Sequence, residues 1–460
     1  MPATQVSQTL NGDLLRRHLA EILSRNEWSR DKLRAFQRER LQSILRHAVQ
    51  ASPYYRETLG DLVARRTAFG EYPILTKRAL MQNFDRIVTD PRLSRGAVDD
   101  HLSGEHPGAA MFGEYRVAAT GGTSGERGFA VFDQEGWLSA IANTLRFQKM
   151  VGIDEDTNSM GIFASSPVHI SHRIGAEIRA LRPSAPRLNV LMPLSEVVSG
   201  LNTYQPQVIS TYPSYVKVLA NEQLAGRLHI KPRLIRTSAE TLTEDVRRLA
   251  AKAWGAVIAN SYTCTEAGAM GHECELANGL HLAEDAFVFE VVDANGRPVP
   301  NGTRGAKLLV TSLTNRVLPL VRYEISDVVT LATEPCRCGL PFWRIASIDG
   351  RAEEMLRFGS VDGGMVEVHA HRLRSPLTAT PGVRQYQFAQ LPDGLEITIS
   401  LFPETDPDVV GESIRRSVDA ELAKVGARAG KLLIRTVDVI MRSGAGAKEK
   451  LVVTPTISDT

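Results

Sequence analysis

The feature that most constrains this fold is an alternation running from Gln207 to Tyr262. Gln207–Ser210 spans a short apolar run, and Thr211-Tyr-Pro213 leads into a helical pattern from Ser214 to about Glu222. Arg233–Arg236 reads as a second strand, followed by Thr237-Ser-Ala-Glu240 and a helix through Trp254. Ala256–Ala259 reads as a third strand, ending in Asn260-Ser-Tyr262. The β-α-β-α-β order predicts parallel strands in an α/β protein. Open parallel sheets bind ligands beyond the carboxyl ends of their strands. Here those ends carry Tyr212, Ser238, Glu240, Asn260 and Tyr262, with Thr265 and Glu266 just after. Helix N-caps account for Ser214 and Thr243, but not for Tyr262 or Glu266.

The flanking regions differ in texture. Residues 12–50 carry helical apolar spacing that stops at Ser52-Pro53. Tyr72-Pro-Ile-Leu-Thr-Lys77 reads as a turn into a short helix. From about Ala286 the pattern becomes alternating strands: Phe287–Val292, Lys307–Thr311, Pro319–Tyr323 and Val328–Leu331. They predict a smaller β-rich subdomain or barrel. Beyond Gly350-Arg351 an α+β pattern takes over. Its elements are Gln385–Ala389, Leu395–Leu401, a helix from Pro407 to about Lys424, and Lys431–Val437. A chain of 460 residues exceeds one ordinary core. The expected division is a large N-terminal domain over 1–349 and a small mobile C-terminal domain over 350–460. A net charge of +2 without a basic block argues against nucleic acid as a partner. No run of about 18 apolar residues suits a membrane span. The N-terminus lacks the apolar core of a signal peptide, and four cysteines make no disulfide scaffold. A cytoplasmic location is expected.

Thr120-Gly-Gly-Thr-Ser-Gly-Glu-Arg-Gly128 packs four glycines and three hydroxyl residues into nine positions. Glycine lets backbone approach a ligand closely, and hydroxyl and N–H groups suit phosphate oxygens. The stretch lacks the Gly-Lys-Ser/Thr of a Walker loop and the G-x-G-x-x-G of a dinucleotide fold. Read alone, it is either a small-residue turn or a phosphate grip.

Four pieces, in this order and spacing, resemble the adenylate-forming superfamily of acyl-CoA ligases, adenylation domains and luciferases. They are the Thr120–Gly128 loop, Tyr262-Thr-Cys-Thr-Glu266, Arg322-Tyr-Glu-Ile-Ser-Asp327 and Gly350-Arg-Ala-Glu-Glu-Met355. Ser52-Pro-Tyr-Tyr55, Tyr72-Pro-Ile-Leu-Thr-Lys77, and Gly279-Leu-His281 with Glu284-Asp285 resemble the phenylacetate–CoA ligase branch. The resemblance implies an acid–thiol ligase. A carboxylate attacks the α-phosphate of ATP to give an acyl-adenylate and pyrophosphate. Coenzyme A or a carrier-protein arm then takes the acyl group, that of an aryl or other small carboxylic acid. An adenylyl transferase, an amide-forming ligase and a binding member without turnover are the rival readings.

The resemblance also assigns roles. Thr120, Thr123, Ser124 and Gly125 would hold the β- and γ-phosphates. Glu266 would help bind Mg²⁺, and Thr265 would contact the α-phosphate. Tyr262 would stack on adenine, Ser238 and Glu240 would line the adenine and acyl pocket, and Asp327 would take the ribose hydroxyls. Arg351 would sit at the ribose and hinge, with Glu353 as the pivot. Lys448 would reach the reacting carboxylate and α-phosphate as a mobile point charge, with Lys450 as the alternative. Several positions depart from the family pattern: Glu126-Arg127 in the loop, Thr263 after the tyrosine, and Glu324-Ile-Ser326 before the aspartate. The expected partners are a small carboxylic acid and a thiol acceptor, and a homodimer is compatible with the reading.

Cys336-Arg-Cys338 forms a C-x-C knuckle, with Cys274 and two histidines, His272 and His281, upstream. Three thiols and one imidazole suit a closed tetrahedral structural Zn²⁺ site. Reduced cysteines without a metal are the other reading, and the resemblance favours His281. Cys264 is then the odd cysteine, expected to pack rather than attack. Ser165-Ser-Pro-Val-His-Ile-Ser-His172 follows an apolar strand at Met160–Ala164, where an acyl pocket is expected. His169 and His172 are expected chiefly to satisfy loop backbone there, and His369 and His371 to lie on the surface.

Overall fold

The computed structural model describes residues 12–120, 128–164, 166–180, 188–351, 354–360, 362–440 and 451–453. Thr123, Ser124, Gly125, Glu353, Lys448 and Lys450 lie outside these residues, as does the side chain of Arg351.

The centre is an eight-stranded mixed sheet. Four parallel strands come first: Ser159–Ile162, Val208–Thr211, Leu234–Ser238 and Val257–Cys264. The sheet then turns antiparallel through Gly268–Glu273, Leu280–Leu282, Arg344–Arg351 and Asp327–Leu331. The predicted parallel core is present, and the strand expected at Met160–Ala164 forms its edge as Ser159–Ile162. Helices Pro213–Leu224 and Glu244–Trp254 are the crossovers. Two local expectations change. Ser214 is not a cap, because Tyr212 holds the N-cap position and Glu240 accepts from the Ser214 N–H at 3.0 Å. Thr243 does occupy its N-cap position, but its hydroxyl makes no cap bond.

The β-rich region is smaller than its sequence pattern predicts. Phe287–Val292, Lys307–Ser312 and Tyr323–Ile325 form a three-stranded antiparallel sheet. Pro319–Val321 is not strand, and Asp327–Leu331 joins the central sheet instead. Edge pairing with Arg344–Arg351 overrides the local alternation here, because register is set by the partner and not by the pattern alone.

The N-terminal helices brace this frame. The predicted long helix breaks at Arg25–Glu27 into Gly12–Ser24 and Arg30–Ala51. Ser52 caps the next helix, Pro53–Ala64, by accepting from the Tyr55 N–H, and its hydroxyl donates to the Arg86 carbonyl at 2.8 Å. Tyr55, 2 % exposed, donates its hydroxyl to the Pro319 carbonyl at 2.8 Å. Leu75 bridges Tyr323, with Leu75 N–H donating to Arg322 O and Glu324 N–H to Leu75 O. The helix Gln134–Met150 is fixed differently. Arg146 forms a bidentate pair with Asp285 at 2.9–3.0 Å, and both side chains are wholly buried. Arg25 adds a further contact to the same carboxylate at 3.3 Å.

Residues 355–453 have their own apolar core, from Leu356 to Leu451. Its main sheet orders Lys431–Thr436, Gly394–Leu401, Val383–Leu391 and Val452–Val453, with helix Pro407–Ala423 packed on it. At the junction, Gly350 has φ +110°, and His369 occupies the space a Cβ would fill. His369, expected at the surface, is half-buried against Gly350.

Removing one member of a buried ion pair strands the other charge in a medium that cannot solvate it. Arg146→Ala is expected to lower unfolding stability by about 3–5 kcal/mol, read by urea denaturation. A loss below about 1 kcal/mol would mean that Arg25 alone neutralises Asp285.

Candidate active site

The glycine-hydroxyl stretch lies in sequence between two paired strands. Arg116–Ala119 pairs antiparallel with Phe129–Phe132, and the loop joins them. Its neck is closed from both sides. Thr120 N–H donates to Gly128 O at 2.9 Å, and Gly128 N–H donates to the Thr120 hydroxyl at 2.8 Å. Lys77 Nζ donates to the same hydroxyl at 3.2 Å. Lys77 belongs to the helix Lys77–Gln82, whose N-cap Thr76 accepts from Ala79 N–H. Sequence reasoning did not single out Lys77 as a site residue. Its signal was its place at the end of the Tyr72–Lys77 motif.

Two other motifs are stitched together by a crossed pair of hydrogen bonds. Tyr262 donates its hydroxyl to Asp327 Oδ2 at 2.6 Å. Tyr323 donates to Glu266 Oε1 at 3.0 Å. Each motif supplies a tyrosine to the other's carboxylate. Tyr262 lies inside its strand, not after it, and Thr265–Ala267 make the turn to Gly268–Glu273. Burial, and then the charge of Glu266, push the Tyr323 phenol far up, so it remains a donor. Glu266 is 8 % exposed, which leaves its second oxygen little water to compete with a ligand. The Asp327 backbone pairs directly with that of Arg351, which brings the two residues into one rung. Buried Arg322 brackets the stretch from below. It pairs with Glu290 at 3.1 Å and donates to the carbonyls of Tyr72 and Gly296.

Next to this rim, Ser238-Ala-Glu240 turns sharply. Ala239 takes φ +69°, a costly conformation for a residue with a side chain. A cavity of about 1160 Å³ opens below the turn. Ser238, Ser261 and Thr263 line it from the sheet, and Ile170, Ile174 and Phe147 from the helices. His172 lines it too, while its ring bonds to the Ala164 backbone. Burial, then Arg179, hold the His172 imidazole below its usual value. His169 is buried outside the lining.

No family model matches the chain. A phenylacetate–coenzyme A ligase of Thermus thermophilus is 26% identical over 415 residues, covering 84% of this chain and 86% of the relative. One from Pseudomonas putida is 27% identical over 419 residues, covering 86% and 87%. A crystal structure of 2-hydroxyisobutyryl-CoA ligase in the postadenylation state, in complex with 2-HIB-AMP, overlays with a TM-score of 0.74. The two are 18% identical, over 94% of this chain and 91% of that one. The chain is a homologue of proteins named phenylacetate–coenzyme A ligase. Its α/β architecture is that of an adenylate-forming CoA ligase.

In this homologue, Cys274, His281, Cys336 and Cys338 come together, with their ligand atoms all within 4.8 Å of one another. Cys274 Sγ and Cys336 Sγ are 3.8 Å apart, and Cys338 Sγ lies 3.3 Å from His281 Nε2. Tetrahedral zinc with Zn–S bonds of about 2.3 Å places sulfurs about 3.8 Å apart. His281 Nδ1 donates to the Phe342 carbonyl at 3.3 Å, which leaves Nε2 facing the thiols. The donor set therefore fits a structural zinc ion. His272 is excluded from the cluster. It stacks on Phe147 at 5.2 Å and donates from Nδ1 to the Glu273 carbonyl. Glu284 and Asp285, which follow His281, serve as anchors: Glu284 holds Arg30 and the Trp343 N–H, and Asp285 holds Arg146. Among the described residues, no helix is long and apolar enough to cross a membrane.

Cys264 packs 3.8 Å from Met270 Sδ. Burial, then Glu266, push its thiol well above the usual value. A protonated thiol is a poor nucleophile.

Elemental analysis is expected to find about one zinc per chain. Cys336→Ser and His281→Ala should lose the metal and His272→Gln should keep it; retention of zinc in H281A would overturn the assignment. Cys264 in the folded protein should react with iodoacetamide at pH 8 at least about tenfold more slowly than in the unfolded chain, read by peptide mass mapping. Equal rates would show an accessible thiolate.

Proposed function

We propose that this protein is an AMP-forming acid–CoA ligase for an aryl or other small carboxylic acid. Its carboxylate oxygen bonds to the α-phosphorus of Mg·ATP and pyrophosphate departs. The thiol of coenzyme A then bonds to the acyl carbon and AMP departs. The observation that carries this reading is the crossed Tyr262–Asp327 and Tyr323–Glu266 pairing, which fixes two carboxylates at the strand ends. Such a pre-set arrangement holds the acceptors for the ribose and for Mg²⁺ in place before the nucleotide arrives, so binding costs little reorganisation. Charge-assisted hydrogen bonds are worth about 1.5–3 kcal/mol each, enough to hold both acids against their mutual repulsion.

In this reading Asp327 accepts from the ribose hydroxyls, and Tyr262 orients it while its ring edges the adenine. Glu266 meets the Mg²⁺ that arrives with ATP, and Thr265 contacts the α-phosphate. Thr123, Ser124 and Gly125 hold the outer phosphates. Thr120 and Lys77 close the neck of that stretch, with Lys77 adding a positive charge there. Ser238 meets the acyl group. Glu240 has a structural share, since it accepts from the helix N-terminus at Ser214. Arg351 is read at the ribose and hinge, Glu353 as the pivot, and residues 350–460 as the domain that carries Lys448 to the α-phosphate. The zinc ion clamps the Cys336–Cys338 knuckle to the Cys274–His281 hairpin and takes no part in the chemistry.

Carboxylate-dependent ATP–pyrophosphate exchange, screened over aryl and short aliphatic acids, is the direct measurement. Exchange should appear and fall at least tenfold in kcat/KM for ATP on Asp327→Ala, the loss of one or two charge-assisted hydrogen bonds. Lys448→Ala should abolish it and Lys450→Ala should not; the reverse result would move the mobile lysine to 450. Absence of exchange with every acid would defeat the ligase reading.

A further inference from the structure

The floor of the cavity does not look like the floor of a pocket for a plain hydrocarbon acid. Strand register puts Gly161, Ser210, Arg236 and Ala259 in one row across the parallel strands. The next row on the same face holds Ser238, Ser261 and His272. Glycine, serine and alanine are short, so the Arg236 side chain stands clear of its neighbours in the row. Arg236, Ser210 and Ser261 all line the cavity.

Two buried polar atoms of residues that line this cavity have no hydrogen-bond partner among the described residues: Arg236 Nε and Ser261 Oγ. Buried polar groups are nearly always paired, so an unpaired cluster facing a cavity marks a place for a ligand. Among the described residues, no carboxylate forms an ion pair with Arg236. The two acids that line the cavity, Glu155 and Asp156, are solvent-exposed. Burial without a counter-ion draws the Arg236 guanidinium down to about 10, so it remains a cation at neutral pH. A buried cation is costly unless something negative meets it.

We propose that Arg236 is a specificity-determining residue, and that the acyl substrate carries a second anionic group which docks on Arg236, Ser210 and Ser261. The inference rests on the ligase reading for the fate of the first carboxylate. Arg236 lies two residues before Ser238 on a strand rising about 3.3 Å per residue. The second anion therefore sits about 7 Å below the rim where activation takes place. Several carbon atoms or one aromatic ring separate the two acidic groups, and Phe147, Ile170 and Ile174 cover that spacer. A bidentate guanidinium and two hydroxyls match a carboxylate, and a sulfonate offers the same acceptor oxygens.

The test compares matched acids in the exchange assay: adipate with hexanoate, isophthalate with 3-methylbenzoate, and 3-sulfobenzoate as the sulfonate arm. The native protein should favour the doubly anionic member of a pair roughly 10- to 100-fold in kcat/KM. Arg236→Met should reverse that preference, and Arg236→Lys should restore part of it. Arg236→Met removes an uncompensated buried charge, so it should melt no lower than the native protein without ligand. A preference for monoacids in the native protein, or an equal change for both members of a pair in R236M, overturns the inference. Calorimetric titration of isophthalate and adipate separates the two levels of the argument. Binding that R236M loses, without exchange for any acid, upholds the anion site and defeats the ligase reading. Equal binding by both proteins, or none by either, overturns the anion site.

Discussion

The strand Val257–Cys264 is paired in parallel on one side and antiparallel on the other, and the rest of the molecule depends on that double pairing. Its parallel neighbour delivers the Ser238–Glu240 turn to the rim. Its antiparallel neighbour returns the chain through Gly268, where a Cβ would come within 3.1 Å of Ala140, toward Cys274 and His281. Gly268 has φ +79°, so both the turn and the close approach to the helix Gln134–Met150 demand glycine. One strand thus positions the proposed nucleotide rim at one end and the thiol–imidazole cluster through its hairpin partner. A register slip of one residue would send Ser261 to the far face and break every site at once.

The crossed tyrosine–carboxylate pairs explain why distant parts of the sequence form a single rim. Tyr262 and Glu266 lie in one hairpin, while Tyr323 and Asp327 arrive on a segment held by Arg322, Leu75 and Tyr55. Each carboxylate takes a phenol donor from the other motif. The two motifs are therefore coupled, and a change in either tyrosine affects the opposite acid.

Much of this was legible in the chain because it rests on local periodicity. The parallel core, Phe287–Val292 and the α+β elements beyond residue 380 follow from apolar spacing and turn residues. What escaped was decided by distant partners. Asp327–Leu331 alternates like its neighbours, yet pairs with Arg344–Arg351 across a different sheet. Lys77 and Thr120 are 43 residues apart, and nothing in either sequence context announces their contact. Ser214 resembles a cap, but Glu240 takes that part from another turn. The four-ligand cluster was legible as a donor set, whereas the choice between His272 and His281 needed the position of the thiols in space. The two histidines are paired on adjacent strands, and only His281 lies beside Cys274, Cys336 and Cys338.

Position along a strand, and not residue type alone, separates the roles on the central sheet. Ser238 and Thr263 stand near the carboxyl ends, at the proposed nucleotide rim. Arg236 and Ser210 stand one row deeper, where neighbouring residues are small. The same guanidinium at the rim would compete for the triphosphate and blur the geometry that activation requires. Two residues down the strand, it is far enough away to leave that chemistry alone and close enough to read the other end of an acid. Activation and selection can then diverge by substitution, because the floor can change its charge without disturbing the crossed carboxylates above it. An uncompensated cation is tolerated there because its cost falls on the empty site and is relieved only when a matching anion is bound.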